Sequence, residues 1–409
     1  MSATNADNFP IRARRVKRDR WTRLGLSMAN VISVGTLNVL LTDGTRHRVV
    51  RTPTPEATFV IRDPAAFRRL ITGGSLGLAE AYIEGLWESP DVAAVMRLAA
   101  ANEAEWLNTL RGRPWLRLAS RVLHRLRPNT RKGAARNIVD HYDLGNAFYA
   151  EWLDPGMAYS SALFTAPDQT LEAAQAEKMH ALCRALEIKP GMRVLEIGCG
   201  WGGFAEVAAR DYGAIVTGLT LSPSQLEAAQ ARIAAAGLSG QVELRLQDYR
   251  DVQGSFDRIA SIEMFEAVGE RYWPAYFGVL RDRLCAGGRA GLQTITIAEH
   301  LWDDYRSNAD FIQRHVFPGG MLPTLGKLAE QARTAGLDWL GDRWFGADYA
   351  ETLARWQQRF QTRWPQIARL PGGFDPQFKR LWEYYLAYCE TGFRAGWTDV
   401  GQIVLARPR

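Results

Sequence analysis

Between Val194 and Gly203 the chain reads Val-Leu-Glu-Ile-Gly-Cys-Gly-Trp-Gly-Gly. An apolar strand runs into a glycine-rich turn, and a helix is predicted from about Gly203. Gly198 and Gly200 permit a tight turn and let a ligand approach the backbone, because glycine lacks a Cβ and tolerates positive φ. The pattern is E-x-G-x-G, whereas a pyrophosphate is held by G-x-G-x-x-G on a helix N-terminus. An acid, Glu196, so close to the turn suits a cationic or zwitterionic ligand. S-adenosylmethionine, with its ammonium and sulfonium, is such a ligand.

Two further segments belong to the same reading. Gly218-Leu-Thr-Leu-Ser222 ends a second strand, and Ser222, Pro223 and Gln225 form an N-cap, a first-turn proline and a capping box. These residues thus have a structural role without any ligand. No acid follows that strand to bind a ribose, so contacts there are expected from Thr220, Ser222, Gln225 or backbone groups. Asp248-Tyr249 follows the third strand, on the sheet edge that carries the glycine turn. Asp248 is expected to meet an adenine amino group and Tyr249 to pack on the ring, or the pair is an ordinary surface loop.

The elements that must position these residues form an alternating series. Apolar runs at 193–197, 215–220, 242–246, 256–262 and 290–297 read as strands, most of them separated by helical segments. This is the signature of a doubly wound, Rossmann-like parallel sheet. Ahead of it, residues 35–50 alternate around Asp43-Gly44, a hairpin signal. Helical patterns follow at 65–71 and 77–101. The expected organisation is α/β throughout: a basic, loosely ordered arm over 1–30, a small α+β domain over 31–105, a basic linker helix within 106–136, and the sheet domain over 137–409.

Charge and composition narrow the class. The 409 residues carry 50 basic and 44 acidic side chains, a net +6. The excess is local: seven Arg/Lys against Asp19 alone between Arg12 and Arg23, and nine against none between Arg111 and Arg136. Arg113, Arg117, Arg121 and Arg125 form one stripe on a helix predicted from Pro114 to Leu126, with Leu118, Val122 and Leu126 on another face. The stripe is either a solvated surface or a dock for polyanions such as anionic lipid headgroups. An Arg-rich leader is also compatible with an organelle presequence. Nucleic acid is not expected as a partner, since no Asn/Asp-Pro-Pro-Tyr/Phe motif occurs. Four widely spaced cysteines argue against a disulfide scaffold or a zinc site, and fit a reducing cytoplasm. No apolar run reaches the ~18 residues of a membrane span.

The motifs resemble those of cyclopropane-fatty-acyl-phospholipid synthases and mycolic acid cyclopropane synthases. The matching stretches are His141-Tyr-Asp-Leu-Gly-Asn146, Tyr159-Ser-Ser161, Leu195 to Gly203, Gly218 to Ser222, Gln247-Asp-Tyr249, Met264-Phe-Glu266, Phe317-Pro-Gly-Gly320, Tyr384-Tyr-Leu386 and Phe393-Arg394. They cover 137–409, and Gly77 to Val92 is similar to the N-terminal domain of the full-length bacterial enzymes. The resemblance implies a class I methyltransferase fold with S-adenosylmethionine held by Gly198, Gly200, Thr220, Leu221, Gln225 and Tyr249, and closed over by Tyr159 and Ser160.

It further implies methyl transfer to the double bond of an unsaturated phospholipid acyl chain, with ring closure to a cyclopropane. The alternatives are a methyl-branched chain, an amine N-methyltransferase, and a lipid-binding protein without activity. A carbocation on the chain needs aromatic faces, offered by Phe265, Phe311, Phe317, Tyr384 and Tyr385. In the family a bicarbonate ion is the base, in a cradle of Cys, Glu, His and Tyr with backbone help. Glu266 and Tyr385 match two of these. Ser161 stands for the Cys, Gln293 for the His, and Ile295 contributes backbone. Glu266 is itself an alternative base if burial raises its pKa. Residues 299–340 are expected to shape substrate access, with Gly319 and Gly320 as hinges. The expected setting is a homodimer in the cytoplasm, peripheral to the inner, anionic face of the membrane.

Overall fold

The computed structural model describes residues 19–103, 105 and 144–409. The stripe from Arg113 to Arg125, most of the basic arm and the His141-Tyr142-Asp143 segment lie outside the described residues. The chain divides into two compact units, one formed by 1–122 with 371–395 and one by 123–370 with 396–409.

In the first unit, the expected loose arm gives way to a helix, α1 (Arg20–Ala29), whose Asp19 side chain accepts from the Thr22 N–H at 2.7 Å. Asp19, read as a lone acid among bases, is an N-cap. The hairpin forms as β1 (Thr36–Leu40) and β2 (Arg46–Val50). With β3 (Glu56–Ile61) and β4 (Trp87–Glu88) they make a sheet of order β2-β1-β3-β4. The helix expected over 77–101 is two: α2 (Ala65–Ile83) and α3 (Val92–Ala101). Gly85, at φ 74, turns the chain between them so that Trp87 enters the sheet. Trp87 is fully buried, its ring 4.5 Å from Phe59 and 4.7 Å from Tyr82, its indole N–H donating to the Leu78 carbonyl.

The long helix Pro376–Arg394 belongs to this first unit, and not to the sheet domain as the linear reading expects. The Tyr82 hydroxyl donates to Glu383 at 3.2 Å, and Arg97 pairs with Glu390. The chain therefore returns to its N-terminal part before finishing the second unit.

The second unit is a seven-stranded sheet of order β10-β11-β9-β8-β5-β6-β7. Its strands are β5 (Arg193–Ile197), β6 (Ile215–Thr220), β7 (Val242–Leu246), β8 (Phe256–Ile262), β9 (Leu284–Ile297), β10 (Asp338–Trp344) and β11 (Thr398–Ala406). Strands β5 to β9 are parallel, whereas β11 pairs antiparallel with β9 and β10. Helices α4 (Leu171–Ala185), α5 (Gly203–Tyr212), α6 (Pro223–Ala235), α7 (Trp273–Arg283), α8 (Leu325–Thr334) and α9 (Gly346–Ile367) accompany the strands. The strand order reverses between β5 and β8, so the crevice at their carboxyl ends is where such a sheet binds ligands. Among the described residues no helix is long and apolar enough to cross a membrane.

Trp87→Ala removes the centre of the first unit's core and is expected to cost about 3–5 kcal/mol. Urea denaturation of the purified protein, followed by tryptophan fluorescence, measures it.

Candidate active site

The glycine turn sits at the carboxyl end of β5 and is fixed from β6. The Leu219 carbonyl accepts from both the Gly198 and Cys199 N–H groups, at 3.0 and 2.8 Å. Gly198, at φ 84, has no room for a side chain: a Cβ would lie 2.7 Å from Cγ of Met264. Gly200, at φ 50, faces open space, with nothing within 4 Å of a Cβ position. The first glycine is required by packing and backbone angle, and the second leaves the turn accessible.

Glu196 lies beneath this turn, only 3 % exposed. Its Oε2 is buried without a hydrogen-bond partner, and burial pushes the carboxyl up to about 8. The open space at Gly200 and this orphaned acceptor fit a ligand that brings positive charge to the turn.

The turn is also pinned by residues that sequence reasoning did not single out. The Trp201 indole donates to Asn146 Oδ1 at 2.8 Å, and the Asn146 amide donates to the Ser224 carbonyl at 3.0 Å. Asn146 thereby ties the turn to the start of α6. The expected N-cap and first-turn proline of α6 are present, the Ser222 hydroxyl accepting from the Gln225 N–H, but the capping box is not: the Ser222 N–H donates to Thr220 Oγ1, and Gln225 Oε1 accepts from Thr220 at 3.0 Å. Leu221 sits between them, half-buried. Tyr249 is half-buried with its ring edge-on to Tyr276 at 5.3 Å, and burial raises its hydroxyl to about 12. Asp248 accepts from the Arg250 guanidinium on both oxygens and from the Arg250 N–H on one.

Tyr159 is half-buried among aromatic rings, with Tyr149, Trp152 and Trp356 at 5.3–5.6 Å and Phe317 at 6.5 Å. Ser160 accepts from the fully buried Lys178 ammonium, whose pKa burial lowers to about 8.

The segment after β8 holds two carboxylates three residues apart. Glu266 Oε1 accepts from the Thr294 hydroxyl at 3.0 Å and from the Ile295 N–H, while Oε2 is buried and unpartnered. Burial, then the charge of Glu263, pushes the Glu266 carboxyl up to about 8. The Glu266 carbonyl accepts from the Met321 N–H at 2.9 Å, which anchors the Phe317 to Met321 loop beside it. Glu263 was missed in the sequence, where the adjacent Met264-Phe-Glu266 motif drew attention. Its signal was the repeat of an acid at the end of a buried strand.

The expected bicarbonate cradle does not fit the residues present. The Ser161 hydroxyl donates to the Ala162 carbonyl, and the Ser161 N–H donates to Glu263. Both Gln293 amide hydrogens are engaged, by Glu263 and the Ser161 carbonyl, and its oxygen accepts from Gln402. The Ile295 N–H is used by Glu266. Tyr385 is on the helix of the first unit, with its ring 5.2 Å from Trp382. Tyr384 is there too. Phe265 is core, 1 % exposed against Trp273, Tyr276 and Phe277, and Phe311 packs on His315. Of the expected aromatic set, Phe317 meets Tyr159, their ring centroids 6.5 Å apart.

The sheet order, the glycine turn at the switch point and the orphaned acid beneath it define a class I methyltransferase that uses S-adenosylmethionine. The family model described as mycolic acid cyclopropane synthetase matches residues 129–403, and the chain belongs to that family of lipid-modifying methyltransferases. It is 37% identical to the tuberculostearic acid methyltransferase UfaA1 of Mycobacterium tuberculosis, over 99% of this chain and 97% of that one. It is 38% identical to the cyclopropane-fatty-acyl-phospholipid synthase of Escherichia coli K12, over 85% of this chain and 87% of that one. The structure of mycolic acid cyclopropane synthase CmaA1 complexed with SAH and CTAB superposes with a TM-score of 0.63 at 31% identity, over 66% of this chain and 98% of that one.

Asn146→Ala is expected to loosen the turn and weaken S-adenosylmethionine binding by about 1–2 kcal/mol, roughly tenfold. Isothermal titration calorimetry reads the change.

Proposed function

We propose that the protein methylates the double bond of an unsaturated phospholipid acyl chain and closes the product to a cyclopropane. The observation that carries this reading is Glu266: a buried carboxylate with a bare oxygen, held by Thr294 and Ile295, next to the loop bearing Phe317. S-adenosylmethionine supplies an electrophilic methyl group when bound. Gly198, Gly200, Thr220, Leu221, Ser222, Gln225 and Tyr249 are the residues assigned to hold it, with Glu196 beneath and Tyr159 and Ser160 over the methionine end.

An alkene is a weak nucleophile, so the chain must be held at attack distance and water kept out. Addition of a methyl group leaves a carbocation on the acyl chain, which the faces of Tyr159 and Phe317 stabilise. A proton then has to leave. Loss from the new methyl group, with its C–H electron pair forming the second ring bond, gives the cyclopropane. Glu266 Oε2 is the acceptor, and its raised pKa makes it basic enough for that task.

A second reading is favoured by the similarity to a tuberculostearic acid methyltransferase. A proton lost without ring closure leaves a methyl-branched or methylene product. The basic segments at 12–23 and 111–136 supply the dock to an anionic membrane surface, each cation contributing about 1 kcal/mol. The same proposal places the protein as a homodimer on the cytoplasmic face of the membrane.

Lipids from a host expressing the protein are expected to gain about 14 mass units, one methylene equivalent, by mass spectrometry. Resistance to hydrogenation identifies a ring, and a reducible product identifies the branched alternative. Methyl transfer to soluble amines but not to liposomes excludes lipid as substrate. Liposome binding is expected to fall steeply as salt is added.

Glu266→Gln is expected to keep S-adenosylmethionine binding and lose at least about a hundredfold in turnover. In the wild type, Glu266 accepts a proton only when ionised, so turnover should rise with pH through about 8. The sign for stability is the reverse. A carboxyl raised from 4.5 to about 8 on folding contributes stability that is full below 4.5 and lost as pH rises through about 8. Melting temperatures across that range should decline less in Glu266→Gln than in the wild type.

A further inference from the structure

Glu263 occupies a costly backbone position. Its φ of 47 lies in the left-handed region, one of three such non-glycine residues among those described. That conformation is disfavoured for a residue with a Cβ, which crowds the following carbonyl oxygen. Such strain persists only where the surroundings enforce it, and here they converge on the carboxylate. Oε1 accepts from the Ser161 N–H at 2.8 Å and from Gln293 Nε2 at 2.8 Å. Oε2 accepts from the Tyr349 hydroxyl at 2.7 Å. The backbone is held as well, the Glu263 N–H donating to the Gln293 carbonyl at 2.7 Å.

Three donors from three separate segments thus surround one carboxylate, and the buried Lys178 adds a favourable field. Two of these residues, Ser161 and Gln293, are those that family resemblance assigns to a bicarbonate cradle. A free anion and the Glu263 carboxylate cannot use the same hydrogens. Burial raises the Glu263 carboxyl, and Lys178, Gln293, Tyr349 and the Ser161 amide pull it back toward the ionised form.

We propose that Glu263 is the resident anion of this site: its carboxylate fills the donor set of the Ser161 N–H, Gln293 amide and Tyr349 hydroxyl, so that the enzyme draws on no dissolved bicarbonate. The proposal rests on the methyltransferase reading for its activity test, but not for its binding test. A tethered carboxylate needs no binding equilibrium, and its charge sits beside Glu266 whatever the carbonate content of the medium.

The test compares the wild type with Glu263→Gly and Glu263→Gln. Glycine suits the left-handed backbone and leaves the donors open, whereas glutamine removes the charge and keeps the space filled. In carbonate-free buffer, wild-type methyl transfer to unsaturated phospholipid liposomes is expected to be unchanged by added bicarbonate. Glu263→Gly is expected to lose about a hundredfold and to recover with bicarbonate or formate. Glu263→Gln should be inactive and gain nothing from either ion. Independently of substrate, ¹³C-bicarbonate titration by NMR should show saturable binding to Glu263→Gly and none to the wild type. Bicarbonate should raise the melting temperature of the glycine variant alone.

Saturable bicarbonate binding by the wild type, or wild-type activity that collapses without carbonate, overturns the proposal. So does a folded Glu263→Gly that neither binds nor responds to the ion. Should Glu263→Gly fail to fold, the wild-type titration still decides. Absence of methyl transfer to liposomes in every protein refutes the lipid reading, and leaves the titration to judge Glu263.

Discussion

A carboxylate removed from water must be given donors, be given a positive charge, or be neutral. Three buried or half-buried acids at the carboxyl ends of β5 and β8 meet this constraint in three ways. Glu263 receives donors on both oxygens. Glu266 receives donors on one oxygen and keeps the other bare. Glu196 has an orphaned oxygen under the glycine turn, and burial pushes its carboxyl up. The first has a donor for each oxygen, while burial pushes the other two up to about 8. A site with one hydrogen-bonded carboxylate and two acids carrying bare oxygens can receive a cationic donor and dispose of a proton.

The sheet makes this arrangement possible. Parallel strands β5 and β8 are hydrogen-bonded neighbours at the point where strand order reverses, so their carboxyl-terminal loops open onto one crevice. Strand β9 contributes Gln293, Thr294 and the Ile295 N–H from the adjacent register, since Ile262 pairs with Gln293. The 158–163 segment and α9 bring Ser161 and Tyr349 from distant parts of the chain. Each donor is therefore carried by rigid backbone or a packed helix, and the geometry is preorganised rather than assembled around a ligand.

Membership of a family does not carry every residue role with it. Where the resemblance implies a Cys and a His, this chain has Ser161 and Gln293, and the structure shows where their polar groups go. Ser161 turns its hydroxyl to a backbone carbonyl, and Gln293 turns its amide to Glu263. Read singly, each substitution weakens an anion cradle. Taken together with Glu263, they form a closed network with no free donor among the three.

The sequence by itself determined the five parallel strands, the glycine turn and the Ser222 cap, because these follow from local rules; the antiparallel strands β10 and β11 it did not show, and Glu266 came from family resemblance. Apolar runs mark strands, Gly198 and Gly200 mark a tight turn that favours glycine, and Ser222 with Pro223 marks a helix start. What only the tertiary structure decided were the partnerships of polar groups far apart in the chain. Tyr385 went to the first unit because the helix Pro376–Arg394 buries its apolar face there, although its neighbours in sequence belong to the second. Glu263 found its donors at 161, 293 and 349, positions that no periodicity connects. Hydrogen bonds between buried side chains are set by three-dimensional proximity, and one chain read in order carries no direct record of it.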